Sequence, residues 1–324
     1  MGTQESHNFD LLVIGELNLD LILNNLNSFP ELGKEKIAHN IALTLGSSSA
    51  IFSANSARLG LSVGFCGMVG KDDFGKKVLK DLSDYKVDTS LIKQSSRHKT
   101  GITVILRHDN DRAMTTYPGT MEQFGLSDIS EKAFKQAQHL HISSIFLQPK
   151  IKRDLFAIID KAKAHGMTVS IDPQWDPSEK WDIALPKLLS KIDFFTPNET
   201  EFIALTNAST VEEGLQKICE NNSSCSVIVK RGLQGASFLD DGIVRTIPTI
   251  KNEAPIDTVG AGDSFDAGFI YQIIQGNDIS TATYFGNIVG AVSTTAAGGT
   301  EAIKSLEHVK NIAKEKFQID DLTG

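Results

Sequence analysis

The stretch DTVGAGDSFDAGF, Asp257 to Phe269, sets Gly260, Ala261 and Gly262 directly before a carboxylate, Asp263, and then runs into an apolar pattern. Glycines so placed let the backbone turn until successive N–H groups point into one concavity. A helix start has unpaired donors and a partial positive charge, so that concavity takes an anion. The same dipole favours the ionised form of a carboxylate in the first turn. An amide cup beside an ionised carboxylate suits phosphoryl transfer: the amides stabilise charge on the moving group, while the carboxylate orients a hydroxyl and accepts its proton. A plainer reading, with Asp263 as a helix cap and the glycines as a tight turn, fits the same residues, and local physics does not choose between them. The chain has no P-loop signature of GxxxxGK followed by Ser or Thr, and it lacks the protein-kinase set of HRD together with DFG.

Phe265, Phe269 and Ile273 recur at every fourth position, with Ile270 and Ile274 beside them, so a buried helix is expected to begin near Gly260. Upstream lie short apolar runs rich in β-branched residues. They are DLLVIG (Asp10 to Gly15), SVGFCGMVG (Ser62 to Gly70), HLHIS (His139 to Ser143), MTVSID (Met167 to Asp172), DFFTPN (Asp193 to Asn198) and CSVIVKRG (Cys225 to Gly232). Their hydrophobicity is continuous rather than alternating, which predicts strands covered on both faces. Between them, Asp154 to Gly166 places Leu155, Ile158, Ile159 and Ala162 on one helical face and ends in glycine. Strand and helix in alternation predict an α/β fold, a doubly wound and mostly parallel sheet flanked by helices, in one domain over 1–324. Two stretches, at about 17–45 and 98–120, read instead as antiparallel β ribbons. In the second, Ile102, Val104 and Leu106 alternate with Thr103, Ile105 and Arg107, and HDND supplies the turn. Such ribbons need cover for an apolar face. A small β-sheet lid over a cleft, shared with a second copy in a homodimer, would provide it.

The 324 residues are 40% apolar and carry a formal net charge of −8, with Lys and Arg dispersed along the chain. Without a concentrated basic surface, neither nucleic acid nor an anionic membrane is an expected partner, and small-molecule chemistry is. Cys66, Cys219 and Cys225 form no CxxC pair and are expected as reduced, mostly buried thiols of a cytoplasmic protein. No basic region precedes the first apolar run and no stretch is long enough to span a membrane, so no secretory signal is expected. Gly2 and Ser6 match the loose myristoylation pattern, but no second anchor follows. His139 and His141 have no third ligand and read as structural, and Trp175 and Trp181 read as packing for a loop beneath the cleft.

DTVGAGDSFDAGF closely resembles the C-terminal signature of the ribokinase-like sugar kinases, the phosphofructokinase-B group. Other pieces match in the family's order across nearly the whole chain: GELNLD is similar to GxxNxD, GKDDFG to GxDxxG, TPNETE to NxxE, and VKRGLQGA to a glycine-bearing nucleotide segment. The resemblance implies an ATP-dependent kinase for a sugar or similar alcohol, with Mg²⁺ and K⁺ as cofactors. It implies Asp263 as the catalytic base and Gly260, Ala261 and Gly262 as the anion hole. Asn198 and Glu201 would lie near the phosphates, Glu201 holding Mg²⁺ through water. Lys230, Gly232 and Gly235 would line the nucleotide pocket, with Lys230 meeting either phosphate or solvent, and Asn287 would lie near the adenine. Asp257 and the Val259 carbonyl match a monovalent-cation site, to which the carbonyls of Thr294 to Gly299 are a looser match. On the sugar side, Asn18 and Asp20 would read hydroxyls, since a carboxylate can accept from two neighbours at once. Turn residues at a strand end are the plainer reading of both.

The chain also departs from the family pattern. In GSSSAIFSANSARLG, Gly46 is followed by Ser47 where a second glycine is common, and Ile51 stands where asparagine is. Ile51 removes a donor and an acceptor, which argues against ribose-like recognition and leaves Ser47 or Ser48 to supply a hydroxyl. In DPQWD, Asp176 aligns with an arginine of the family's sugar-acid kinases, and Tyr117 with their lid arginine. A carboxylate at the first position would repel an acid, so a neutral sugar of the ketohexose or pentose class is expected. Arg107 and Arg112 keep a sugar phosphate open, exposed hairpin arginines being the plainer reading. Two further readings stand beside this one: a nucleoside kinase with Ile51 and Phe52 as an apolar slot for the base, and a non-catalytic sugar or nucleotide sensor.

Overall fold

The computed structural model describes residues 8–108, 111–220 and 224–322. The Gly2–Ser6 pattern and the middle of the HDND turn lie outside them. In chain order the strands are β1 (Phe9–Ile14), β2 (Asn18–Asn24), β3 (Asn40–Leu45), β4 (Val63–Cys66), β5 (Met68–Gly70), β6 (Lys93–Ser95), β7 (Gly101–His108), β8 (Asp111–Tyr117), β9 (Ala137–Ser143), β10 (Thr168–Asp172), β11 (Phe194–Phe195), β12 (Ser226–Lys230), β13 (Ala236–Asp240) and β14 (Ile243–Ile247). The helices are α1 (Ser48–Leu59), α2 (Asp73–Asp84), α3 (Glu131–Phe134), α4 (Pro149–Ala164), α5 (Leu185–Leu189), α6 (Glu199–Thr206), α7 (Val211–Glu220), α8 (Ala261–Ile274), α9 (Ile279–Ser293) and α10 (Leu306–Phe317).

The main sheet runs β14-β13-β12-β11-β10-β9-β1-β4. Strands β4, β1, β9, β10, β11 and β12 pair in parallel, and β13 pairs antiparallel with both β12 and β14. Strand β1 shows why its sequence is continuously apolar. Leu11 and Val13 join the core under α1, α8 and α9, whereas Leu12 and Ile14 join the core under α4, and all four are fully buried. Helix α4 buries Leu155, Ile158, Ile159 and Ala162, the face its spacing predicts. Helices α8 and α9 meet closely because Gly268 leaves no side chain at the contact: a Cβ there would lie 2.7 Å from Val289 Cγ2. Strands β13 and β14 are absent from the sequence reading, since an edge hairpin with β14 partly exposed lacks the continuous apolar signal. Cys66 and Cys225 are buried thiols, but Cys219 is exposed near the C-terminal end of α7. No helix among the described residues is long and apolar enough to cross a membrane.

The two ribbons combine into a separate four-stranded sheet, β3-β2-β7-β8, in which β2 and β7 are parallel. Register pairs Asp20 with Thr44 and Thr103, and Ile22 with Ala42 and Ile105. Those residues share a face with Thr103 and Ile105, which line the cleft described below. The opposite face carries Leu21, Leu23, Ile41, Leu43, Val104 and Leu106. This corrects the expected pattern: Ile105 is the buried side chain of β7, while Ile102, Val104 and Leu106 are only partly buried.

The GKDDFG stretch fastens this sheet to the body. Asp72 caps α2 by accepting from Gly75 N at 2.8 Å, and the same carboxylate accepts from Thr100 N at 2.9 Å and Thr100 Oγ1 at 2.8 Å, at the entry to β7. Gly75 cannot carry a side chain, since its Cβ would sit 2.1 Å from the Gly70 carbonyl oxygen. Asp72→Ala removes a cap and two further charge-assisted bonds, so thermal or urea unfolding is expected to show a loss of about 3 kcal/mol.

Candidate active site

The parallel strands deliver their C-terminal ends to one cleft, the position where open α/β sheets place ligands. Glu16 follows β1, Asp172 ends β10, Asn198 follows β11 and Lys230 ends β12. Helix α8 starts at the same edge. A cavity of about 780 Å³ is lined there by Asn18, Asp20, Ser47, Ile51, Asn198, Glu201, Lys230, Gly232, Gly235, Val259, Gly260, Ala261, Gly262, Asp263 and Asn287, so fifteen of the residues singled out in the sequence meet in one place. Gly46 and Asp257 do not line it. Gly46 lies behind Asp20, where a Cβ would come within 2.3 Å of Asp20 Oδ1.

Gly260 is the N-cap of α8, with φ 73°, and a Cβ on it would lie 2.8 Å from Gly299 Cα. The left-handed backbone and the close approach both require glycine here. The next amides open the helix without an i−4 carbonyl of their own helix, although Ala261 N makes a long 3.3 Å turn contact to the Thr258 carbonyl. Asp263, in the first turn, is only 8% exposed. Its Oδ1 accepts from Ser48 Oγ at 2.5 Å and from Gln174 Nε2 at 3.0 Å. Burial pushes its pKa up to about 6, with the Asp172 charge adding to the rise and Ser48, Lys230 and Gln174 opposing it. On the small sheet, Asn18 Nδ2 donates to Thr103 Oγ1 at 2.9 Å and to Asp20 Oδ1 at 3.3 Å. Burial and the Asp263 charge raise Asp20 to about 6, against the Asn18 bond and Arg112.

Lys230 neither faces solvent nor stands alone. Its ammonium, 11% exposed, bonds Asp172 Oδ2 and Asp266 Oδ2, each at 2.8 Å. Burial alone would lower its pKa, but Asp172, Asp266 and Glu201 hold it above its ordinary value. The Asp172–Asp266 pair then divides. Asp172 stays ionised despite burial because Lys230 outweighs it, whereas burial and Asp172 drive Asp266 well above the usual carboxylate range. Asn198 and Glu201 form a reciprocal cap on α6: Glu201 N donates to Asn198 Oδ1 at 2.9 Å, and Asn198 N donates to Glu201 Oε2 at 3.0 Å. Burial and the Asp172 charge raise Glu201 to about 7, with Lys230 and Asn198 opposing. The carboxyl groups of Glu201 and Asp263, which line the cavity, are hard oxygen donors of the kind Mg²⁺ takes. No group of three or more His, Cys, Asp or Glu among the described residues is placed to hold a metal by itself, so such an ion would draw its other ligands from phosphate and water.

Several expectations change. Ser47 has φ 71°, so the position keeps a glycine-like backbone even with a side chain. Its hydroxyl is committed to the Glu16 carbonyl at 2.6 Å and to Ala50 N at 3.0 Å, and Ser48 is the serine that turns to Asp263. Ile51, 3% exposed, packs under the glycine turn, while Phe52 is wholly buried and stacked on His141, which removes it from any slot for a base. Asp176 is buried in its own loop, accepting from Ser178 N and Oγ, Lys180 N and Trp181 N, and does not line the cleft. It cannot repel a substrate. The acids that do line the sugar side are Glu16, Asp20 and Asp263, with Arg112 as a cation. Arg107 is not an exposed hairpin residue but bonds Asp257. Asn287 Nδ2 ties α9 to the Ile247 and Pro248 carbonyls at 3.1 and 3.0 Å. Gly235, with φ 93°, lies against the Ile247 carbonyl. His139 and His141 are buried neutral among Thr168 and Ser170, as structural residues. Trp175 lines the cavity and stacks edge-on against Trp181.

Glu16 and Gln174 escaped the sequence reading, and Ser48, expected as one of two serines that could supply a hydroxyl, was not foreseen as a partner of Asp263. Glu16 accepts from Ser49 Oγ at 2.5 Å and from Gln148 Nε2 at 3.3 Å, and burial raises its pKa. The one signal for these three was position, each lying within a few residues of a strand's C-terminal end or a glycine turn.

Residues 8–306 match the pfkB family carbohydrate kinase profile. The chain belongs to that family. It is 29% identical to a ribokinase of Lactococcus lactis over 94% of this chain and 96% of that one, and 29% identical to a fructokinase of Vibrio alginolyticus over 80% and 88%. An E. coli protein described provisionally as Ribokinase II, solved in complex with ATP and Mg²⁺, superposes with a TM-score of 0.82 at 25% identity, covering 94% of this chain and 99% of that one. The chain is thus a carbohydrate kinase of ribokinase-like fold, and the site at the head of α8 is its candidate active site.

This site stores a cost. The folded pKa of Asp263 is raised from 3.8 to about 6, so the stability this group contributes is complete below the unfolded value and is lost as pH rises through 6. At pH 8 the buried charge costs about 3 kcal/mol by the shift. Asp263→Asn is therefore expected to melt several degrees above the wild type at pH 8, with the difference narrowing toward pH 4.

Proposed function

We propose that this kinase transfers the γ-phosphate of ATP to a hydroxyl of a small neutral sugar of the ketohexose or pentose class. The observation that carries the reading is that Asp263 shares one cavity with the glycine turn at its own helix start and with the Asn18–Asp20 pair of the small sheet. Asn18 and Asp20 bind and orient the sugar, and Glu16 adds a second carboxyl group to accept from its hydroxyls. Ser48 and Gln174 hold Asp263 by Oδ1, so Oδ2 is left to take the acceptor's proton. The sugar oxygen attacks the γ-phosphorus in line, an O–P bond forms, the bond to the bridging oxygen breaks, and ADP leaves. The Gly260–Gly262 amides meet the charge on the moving group. Gly232, Gly235 and Asn287 line the nucleotide end. Asn198 and Glu201 would hold Mg²⁺, Glu201 through water, and when bound the ion offsets the phosphate charge. The three acids on the sugar side disfavour anionic acceptors.

In an ADP-release screen across pentoses, hexoses, sugar acids, phosphosugars and nucleosides, neutral sugars are expected to be turned over best, and a clear preference for an acid would defeat the substrate assignment. With the best sugar, Asp263→Asn is expected to lose about a thousandfold or more in kcat with little change in KM for ATP. The wild-type rate should fall on the acid side of about pH 6, where the base takes up its proton.

We also propose a cytoplasmic homodimer joined through the small sheet, since its outer face presents Leu21, Leu23, Ile41, Leu43, Val104 and Leu106, of which Ile41 is 70% exposed. Sedimentation should give a dimer for the wild type and a monomer for Val104→Glu paired with Ile41→Glu. A monomeric wild type would refute the assembly.

A further inference from the structure

The family resemblance implies a monovalent cation at Asp257 and the Val259 carbonyl, and the residues present do not fit one. Asp257 is buried, and both its oxygens are engaged. Oδ1 accepts from Arg107 Nη2 at 2.6 Å and Val259 N at 3.1 Å, and Oδ2 accepts from Gly298 N at 3.0 Å. The following carbonyls are also in use: Thr294 O accepts from Ile256 N at 2.9 Å, and Gly299 O from Asn55 Nδ2 at 3.0 Å. A second cation would enter beside a guanidinium that cannot lose its charge.

The position of this carboxylate explains why it needs a cation. Asp257 stitches together two loops, through Val259 N on one and Gly298 N on the other. Immediately after Val259 the chain turns at Gly260 and packs against Gly299, so the same two loops shape the start of α8. A buried carboxylate drawn between them by amides alone would carry an uncompensated charge. Arg107 arrives from β7, on the small sheet, opposite Arg112 of β8.

We propose that Arg107 stands where a monovalent cation would otherwise act: its guanidinium neutralises Asp257, and through it positions the Val259–Gly262 turn that receives the phosphate. Turnover then needs no potassium. Because the charge rides on the small sheet rather than arriving from solvent, the phosphate cup is complete only while that sheet is in place. Arg107 is a positioning residue, acting through Asp257. The inference rests on the kinase reading above, but its test separates the two.

The full-length chain is assayed for ADP release with its best sugar in KCl, NaCl and choline chloride at equal ionic strength, and melted in the same salts without substrate. Wild-type rates and melting points are expected to agree across the salts within about twofold and a degree. Arg107→Ala should fall about tenfold or more in choline, with a raised KM for ATP, and recover several-fold in KCl as the ion fills the place left by the guanidinium, its melting point rising in KCl as well. Arg107→Lys should keep a charge in place and respond weakly to salt. If Arg107→Ala does not fold, Arg107→Gln takes its place. A wild type stimulated strongly by K⁺ overturns the proposal, as does an Arg107 variant that is unaffected or is impaired equally in all three salts. ADP release with none of the sugars would refute the kinase assignment instead, and the melting comparison would still decide the role of Arg107.

Discussion

Everything at this site depends on keeping a carboxylate ionised where little water reaches it. Asp263 is sheltered at the head of α8 with Asp172, Asp266 and Glu201 nearby, and one ammonium, Lys230, stands among them. Lys230 decides how the acids divide: it holds Asp172 in the charged form, and Asp172 in turn keeps the proton on Asp266. That leaves Asp263 and Glu201 buried near a charged Asp172, and burial first, with that charge adding to it, pushes them up to about 6 and about 7. A base poised near the working pH takes a proton from an alcohol more readily than an ordinary aspartate does. On the proposed reading, the negative charge that remains favours a divalent cation bound together with the phosphates. On that same proposed reading, stability is given up so that the site can bind positive charge and move a proton.

The scaffold concentrates these groups by a simple device. Parallel strands point the same way, so their C-terminal ends open on one edge, and β1, β10, β11 and β12 each bring a polar residue there. Helix α8 supplies backbone amides at that edge, and the close contact of α8 with α9 at Gly268 fixes its axis. The small sheet closes the other side. Asp72 anchors its entry, and the Arg107–Asp257 ion pair joins it to the loops beneath the glycine turn. The two sides of the cleft are therefore linked mechanically as well as electrostatically.

The fold was largely legible in the sequence because its signals are local. Continuous apolar runs marked the buried parallel strands, and a four-residue repeat marked α8. Conformation was legible where it is demanded by sterics, as at Gly260. Partners brought together from distant segments were not. Ser48 and Gln174 meet Asp263 across separations of 215 and 89 residues, and no pattern in either stretch announces it. Asp176 was misread for the related reason that alignment gives a residue's place in the chain but not the direction of its side chain, and this carboxylate is taken up by the amides of its own loop.

By itself, then, the chain determined its layers and the turn at the head of α8, since these follow from residue type, periodicity and the steric demands of glycine, while the chemical class of the site came from the resemblance of its motifs to the family. Tertiary structure alone decided the protonation pattern, the burial of Lys230 between two aspartates and the pairing of Arg107 with Asp257. Charge interactions depend on distance and on the loss of water, and both come into existence only when segments remote in sequence are packed together.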